Sequence, residues 1–294
     1  LEKSVLFEAV KNHGTLYLVG TPIGNLGDMV PRAIEVLQSV DCIAAEDTRR
    51  AGQLLQHFSI KTPTLAYHDH NESQASVALV EKIQAGQSIA LISDAGMPLI
   101  SDPGFSLVRL AREKQIEVVV VPGPCAGIQA LCGSGLPTDQ FCFLGFPPAK
   151  TTARKKWYSD IAGRSETSVI YESPHRLVAS LEDAAAALGL NRPVTLVREL
   201  TKTFESWYIG PLEEVIRRIG SEDHAQKGEF VLVVQGAPKA IVDNTEIERL
   251  MGILIPELGV KKAAASVAQI LNVKKNLCYQ VGLELKVGLD RDAK

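Results

Sequence analysis

Short apolar runs alternate with helical patterns through the first half of the chain, and this restricts the fold more than any other feature. Thr15–Val19, Asp41–Ala45, Thr64–Tyr67, Ser88–Ile92 and Glu117–Val121 read as strands. Pro31–Ser39, Thr48–Gln56, Glu72–Ala85 and Pro103–Lys114 read as the helices between them. Val/Ile-rich strands with a helix after each can pair only through crossovers, which predicts a mostly parallel sheet with helices on both faces.

The pattern changes near residues 133–148, where Pro137, Pro147 and Pro148 interrupt it. Beyond lie strands at Phe141–Leu144, Ser168–Glu172, Val194–Arg198, Phe204–Ile209 and Glu229–Val234, with helices at Arg154–Ile161, Arg176–Leu188 and Leu212–Ile219. No helix separates Val194–Arg198 from Phe204–Ile209, so they form a hairpin and the second sheet is mixed. After Gly236 the chain turns helical, over Thr245–Ile255, Val260–Leu271 and Lys274–Leu285. The expected fold is α/β: a parallel-sheet N-terminal domain (1–135), a mixed α+β domain (136–238) and a helical, helix-turn-helix-like tail (239–294).

Composition sets outer limits. With 294 residues, 46% hydrophobic and 22% charged, the chain is globular, and disordered or fibrous classes are excluded. Its five cysteines form no CxxC pair, so neither a disulfide framework nor a zinc site is expected, and a reducing cytoplasmic setting is. The longest uncharged run, Val118–Thr138, holds three prolines and four glycines and is no membrane span. Leu1–Asn12 has the wrong charge pattern for a signal peptide.

Chemistry concentrates in loops that follow strands. Thr21–Asp28 is rich in small residues, which let backbone approach a ligand closely. It lacks GxGxxG spacing, and a tight surface turn explains it equally well alone. Ser93–Gly104 is longer and carries Asp94 and Asp102; Pro122–Ala126 follows the next strand. Three such loops after three parallel strands share one sheet edge, where open α/β sheets bind ligands. Two acids make this a poor phosphate site and suit hydroxyls, an ammonium or a sulfonium.

Glu46-Asp47-Thr48-Arg49-Arg50 reads either as a helix cap or as cleft residues. His68-Asp69-His70-Asn71-Glu72 resembles a metal cluster, but no third His is near. A polar loop with Asn71 capping the next helix fits better, and no metal is expected. Tyr171–Arg176 and Arg198–Lys202 follow strands of the second domain; either they hold a buried ion pair or they face the cleft.

The segments TPIGNLGD (Thr21–Asp28), AAEDTR (Ala44–Arg49), SDAGMPLISDPG (Ser93–Gly104), VPGPCA (Val121–Ala126), YESPHR (Tyr171–Arg176) and RELTK (Arg198–Lys202) closely resemble the ribosomal RNA small subunit methyltransferase I family of the tetrapyrrole methylase superfamily. The resemblance runs through residues 14–236 and extends into the tail. It implies two α/β domains clasping S-adenosylmethionine, a homodimer, and methylation of a cytidine ribose 2'-hydroxyl in small-subunit (16S) ribosomal RNA near the decoding centre. By position it implies Pro22, Asp94, Ala95, Gly96, Ile100, Cys125 and Ala126 at the cofactor, with Glu172 and Leu200 closing over it. Small-molecule relatives show GxGPGD and GDP where this chain has GTPIGN and AGMP, which favours the RNA-modifying branch.

Transfer of a methyl from a sulfonium to an alcohol needs alignment and a base for the weakly acidic hydroxyl. Candidates at strand ends are Glu46, Asp47, His175, Arg198 and Glu199. The expectation is that Asp47 or Glu199 handles the proton while Arg49 and Arg198 fix flanking phosphates. The net charge of −3 discourages bulk coating of nucleic acid, yet charge is uneven. Residues 150–164 carry five cations (Lys150, Arg154, Lys155, Lys156, Arg164) against Asp160, with Trp157 and Tyr158 interleaved; residues 261–294 carry seven cations against three acids. Lys155, Lys156, Lys261, Lys262, Lys274 and Lys275 are the expected RNA contacts, though a solvated helix face explains either run alone. Two other functions stay open: a tetrapyrrole or other small-molecule methyltransferase, and a non-enzymatic RNA-binding assembly factor.

Overall fold

A computed structural model describes residues 14–222, 226–238, 244–271 and 273–292, except the side chains of 244 and 286–292. The expectation for Leu1–Asn12 lies outside these residues. The chain divides into two compact units, Leu1–Gly236 and Ala237–Lys294.

The first unit begins with β1 (Thr15–Val19), β2 (Cys42–Ala45), β3 (Thr64–Ala66), β4 (Ile89–Ile92) and β5 (Glu117–Val121). They form one parallel sheet in the order β3-β2-β4-β1-β5. The side-chain period of two divides each strand between faces. Val19, Ile43, Ala90 and Ile92 pack against α1 (Pro31–Ser39) and α2 (Thr48–His57). Leu16, Leu18, Ala44 and Leu91 pack against α3 (Glu72–Gln84) and α4 (Phe105–Glu113). Pro31 at the first turn starts α1, and the Asp47 side chain caps α2 by accepting from the Arg49 N–H. Because β4 and β5 flank β1, the chain reverses its winding there, and the loops after β1, β4 and β5 converge at one edge.

The second sheet contains β6 (Phe141–Gly145), β7 (Thr167–Glu172), β8 (Pro193–Arg198), β9 (Ser206–Pro211) and β10 (Phe230–Val234), in the order β6-β7-β10-β8-β9. Only β6–β7 is parallel, so the sheet is mixed, and β8–β9 is the expected hairpin. One face (Ile170, Leu196, Phe230, Leu232) is covered by α6 (Thr151–Ile161), α7 (Leu177–Leu188) and α8 (Leu212–Ser221). The other face (Val169, Val197, Val231, Val233) receives α5 (Ala126–Gly133). That helix precedes the expected 135/136 junction yet packs on the second sheet. Gly133 lies against Trp207, so close that a Cβ would fall 2.4 Å from the ring. Thr195 Oγ1 donates to Ser134 O at 2.9 Å beside it. Both sheets therefore belong to one unit.

The second unit holds α9 (Asn244–Ile270) and α10 (Lys275–Asp292). Pro256 and Gly259, at φ 71°, break α9 into two helical pieces. Ile247, Met251, Val267, Cys278 and Val281 form a buried cluster of their own.

Candidate active site

The three converging loops are stitched together by backbone. Thr21 N–H donates to Gly96 O at 2.9 Å and Gly96 N–H donates to Thr21 O at 3.0 Å. A Cβ on Gly20 would stand 2.7 Å from Gly123 Cα, so the first and third loops touch where side chains do not fit. Leu99 and Ser101 take left-handed backbone (φ 71° and 68°) within the second loop.

Between these loops and the free part of the second sheet's α5-side face lies a cavity of about 360 Å³. That size falls within the roughly 300–1,000 Å³ of small-molecule sites. Ala95, Gly96 and Ile100 of the second loop and Cys125 and Ala126 of the third line it, as do Glu172 and Leu200 from across the cleft. Tyr171, Phe146, Val197 and Phe230 complete an apolar wall. Tyr171 was not expected from the sequence in this role; its hydroxyl accepts from the Gly127 N–H at 3.1 Å. Burial and then the nearby Cys125 thiol push its phenol up to about 12. Pro22 and Asp94 line instead a neighbouring polar recess of about 300 Å³ with Arg50, Gln53 and His57.

Glu172 is buried. Its Oε1 accepts from Arg176 Nε at 2.8 Å and from the Ser173 N–H at 2.7 Å, while its buried Oε2 has no hydrogen-bond partner among the described residues. Asp102 also lines the cavity, with its carboxyl pushed up to about 7. Burial is the largest cause; the Ser93 hydroxyl pulls the other way, and Glu46, Asp94 and Asp69 add to the rise. Burial and then Asp94 also raise Glu46. The cavity thus combines apolar walls with carboxylate acceptors, a set that suits a ligand with an apolar body and positive charge.

The other expected residues have different surroundings. Asp47 caps α2 and holds Arg49 through both carboxylate oxygens, at 3.1 and 2.8 Å. These hydrogen bonds keep its carboxyl far below the usual range. Its N–H donates to Asp94 Oδ1 at 3.0 Å, and Arg50 binds Asp94 Oδ2 at 2.9 Å. Burial works to raise Glu199, but Lys202, at 2.9 Å, and the Glu229 N–H hold it below its usual value. Arg198 Nε donates to Lys227 O at 2.6 Å. Neither Asp47 nor Glu199 lines the cavity. His175 is exposed. No ion pair joins Tyr171–Arg176 to Arg198–Lys202 among the described residues; each segment closes its own, Glu172–Arg176 and Glu199–Lys202. Asn71 occupies the α3 cap position, but its side chain closes the preceding turn, accepting from the His68 N–H and donating to Ala66 O.

The basic stretch on α6 is less free than its sequence indicates. Arg154 is buried against Asp183 at 2.7 Å, Lys155 approaches the same carboxylate at 3.8 Å, and Lys156 is exposed. Tyr158 is fully buried, bonded to Ser180 at 2.9 Å, and so drops out of any stacking surface. Lys261, Lys262, Lys274 and Lys275 are exposed. The side chains of Lys286, Arg291 and Lys294 lie outside the described residues.

Comparison with known proteins agrees with this architecture. Residues 15–216 match the model for tetrapyrrole (corrin/porphyrin) methylases, and residues 242–286 match the RsmI C-terminal HTH domain. A relative from Vibrio cholerae named ribosomal RNA small subunit methyltransferase I is 54% identical over 92% of this chain and 94% of its own length. Its namesake from Escherichia coli O157:H7 is 50% identical over 94% and 97%. Among solved structures, uroporphyrin-III-C-methyltransferase from Thermus thermophilus superposes with a TM-score of 0.54 at 20% identity, covering 76% of this chain and 94% of that one. Diphthine synthase superposes at 0.56 with 13% identity, covering 75% and 90%. The two structures share the fold; the two sequence relatives share nearly the whole chain at about half identity. On that likeness, the chain belongs to the ribosomal RNA small subunit methyltransferase I family of tetrapyrrole methylases.

Proposed function

We propose that this chain is an S-adenosylmethionine-dependent 2'-O-ribose methyltransferase acting on a cytidine of 16S ribosomal RNA near the decoding centre. The observation that carries the reading is Glu172: a buried carboxylate oxygen without a hydrogen-bond partner among the described residues, on an otherwise largely apolar cavity at the converging loops. S-adenosylmethionine has a flat adenosine and, at neutral pH, a sulfonium and an ammonium. Ile100 and Leu200 would receive its apolar body, and Glu172 Oε2 would accept a hydrogen bond from its polar groups. When bound, it supplies an electrophilic methyl group. The chain's own task is then to exclude water, hold the ribose hydroxyl in line and receive its proton.

The names of the relatives support ribosomal RNA as acceptor, and the exposed Lys156, Lys261, Lys262, Lys274 and Lys275 fit a phosphate backbone. Asp47, Arg49, Arg198 and Glu199 lie outside the cavity wall and fit a positioning role at its rim better than direct chemistry. The protein would work as a homodimer in the cytoplasm; among the described residues no helix is long and apolar enough to cross a membrane.

Calorimetry with S-adenosylmethionine tests the donor, and primer extension at low nucleotide concentration on 16S RNA from a deletion strain tests the acceptor. Binding together with loss of one 2'-O-methyl stop is the expected result. Donor binding with an unchanged stop pattern would overturn the RNA assignment and favour a small-molecule acceptor.

A further inference from the structure

We propose that Asp102 accepts the proton the ribose 2'-hydroxyl gives up as it is methylated. The inference rests on the methyl-transfer reading above and assigns its missing base. Among the described residues, three carboxylates line the cavity: Asp102, Glu172 and Glu229. Two are committed to cations, Glu172 to Arg176 and Glu229 to Lys202. Asp102 has no ion pair among the described residues, and the Ser93 hydroxyl, which favours its charged form, is outweighed by burial. Three more carboxylates act on it electrostatically and raise it: Glu46 from the end of β2, Asp69 from the turn after β3, and Asp94 from its own loop. Arg50 reaches this group through Asp94.

The backbone supports the same residue. Leu99 and Ser101, neither a glycine, are both left-handed immediately before Asp102. Strain of this kind persists where surrounding structure enforces it and clusters at working sites. Here it belongs to the loop that presents Asp102 to the cavity. The raised carboxyl, at about 7, is basic enough to take a proton and still substantially ionised near neutral pH. Asp47 and Glu199, held low by their partners, are poorer proton acceptors.

The step balances. The hydroxyl proton goes to Asp102, the electron pair it leaves on oxygen forms the bond to the methyl carbon, and the pair of the broken methyl–sulfur bond stays on sulfur.

Asp102→Asn keeps the shape and removes the basicity. With unmodified small subunits as acceptor, kcat should fall by about 10²–10⁴-fold. The Kd of S-adenosylhomocysteine, read by calorimetry, should change by no more than about threefold. Wild-type kcat should rise with pH through neutrality and then level off, a step absent from the variant's residual rate. Glu46→Gln, which removes one of those three charges without touching the cavity wall, should move that step to lower pH. In the free enzyme, carbon-13 NMR of aspartate carboxyls should show a resonance titrating near 7 that Asp102→Asn abolishes. An Asn variant with nearly wild-type kcat, an unchanged pH step, or no such resonance overturns the proposal. Parallel loss of product affinity also overturns it, by making Asp102 a cofactor ligand. If the wild type methylates no RNA, the proposal falls with the reading beneath it; an intact titration near 7 would separate that failure from an error about Asp102 alone.

Discussion

Thr21 and Gly96 exchange both of their backbone hydrogen bonds, at 2.9 and 3.0 Å, an isolated bridge that fastens the loop after β1 to the loop after β4. The Thr21 hydroxyl is buried beneath it and approaches Ser93 O and Gly96 O at 3.5 and 3.4 Å. The loops that line the cavity are therefore joined by backbone contacts across long stretches of sequence. The cavity's shape depends on how closely those loops approach.

Gly20→Ala tests that closeness. The added Cβ would meet Gly123 Cα and Met97 Sδ, each at 2.7 Å. The backbone at Gly123 cannot yield without moving the third loop, which carries Cys125 and Ala126. Overpacking of this kind costs about 1–3 kcal/mol. The expected outcome is a lower urea midpoint together with weaker S-adenosylmethionine binding by calorimetry. Wild-type affinity in a folded variant would show that the two loops can separate harmlessly.

Glu172→Gln addresses the unpartnered oxygen. A hydrogen bond to a charged group contributes about 1.5–3 kcal/mol, which converts to roughly a tenfold to hundredfold loss of donor affinity. Arg176 also loses its ionic partner, so Arg176→Met serves as the control. If both variants lose affinity equally, the effect comes from the Glu172–Arg176 pair and not from the free oxygen.

Much of this arrangement was legible in the sequence, because strand and helix periods and Gly/Pro-rich loops are local signals. β1, β5 and α1 begin and end where their residues indicate. The loops that form the cavity were recognisable as a set because three parallel strands must end at one edge. What stayed hidden depends on tertiary partners. Arg154 reads as one more cation in a basic run until Asp183, 29 residues away, is found against it. Tyr158 reads as a stacking aromatic until Ser180 claims its hydroxyl. Asp102 gives no sign in sequence that acids from two other segments, Glu46 and Asp69, act on it along with Asp94 of its own loop.

Asp102 also makes stability depend on pH. Its folded carboxyl, at about 7, lies above the 3.8 of an ordinary aspartate. Between those values the folded state holds a proton that the unfolded chain has released, so stability falls as pH rises. Asp102→Asn removes this dependence. The variant should be more stable than wild type at pH 8, with the difference shrinking toward pH 4, as read from urea midpoints across the series. A constant difference would mean that Asp102 titrates normally.

The buried pair on α6 and α7 separates structure from RNA contact. Arg154 and Asp183 have side chains only 3% and 8% exposed and lie 2.7 Å apart. Removing one partner of such a pair costs about 3–5 kcal/mol, whereas replacing both by apolar residues is often neutral. Arg154→Met should lower the urea midpoint sharply, and Arg154→Met/Asp183→Leu should restore most of it. RNA affinity of the double variant should match wild type, because the Arg154 guanidinium is already occupied. A large loss of RNA affinity in a stable double variant would return Arg154 to the binding surface.

The helical tail offers the clearest test of where RNA is held. It forms its own compact unit around Ile247, Met251 and Cys278, so deleting residues 243–294 leaves both sheets and the cavity lining intact. Donor binding should persist in the truncated protein. Lys261, Lys262, Lys274 and Lys275 are exposed, and each cation that neutralises a phosphate adds close to one to the slope of log affinity against log salt. Replacing all four with Ala should weaken RNA binding at every salt concentration and flatten that slope. If the slope is unchanged, the tail's lysines form a solvated surface, and the acceptor must be held by cations of the first unit, with exposed Lys156 of α6 the next to replace.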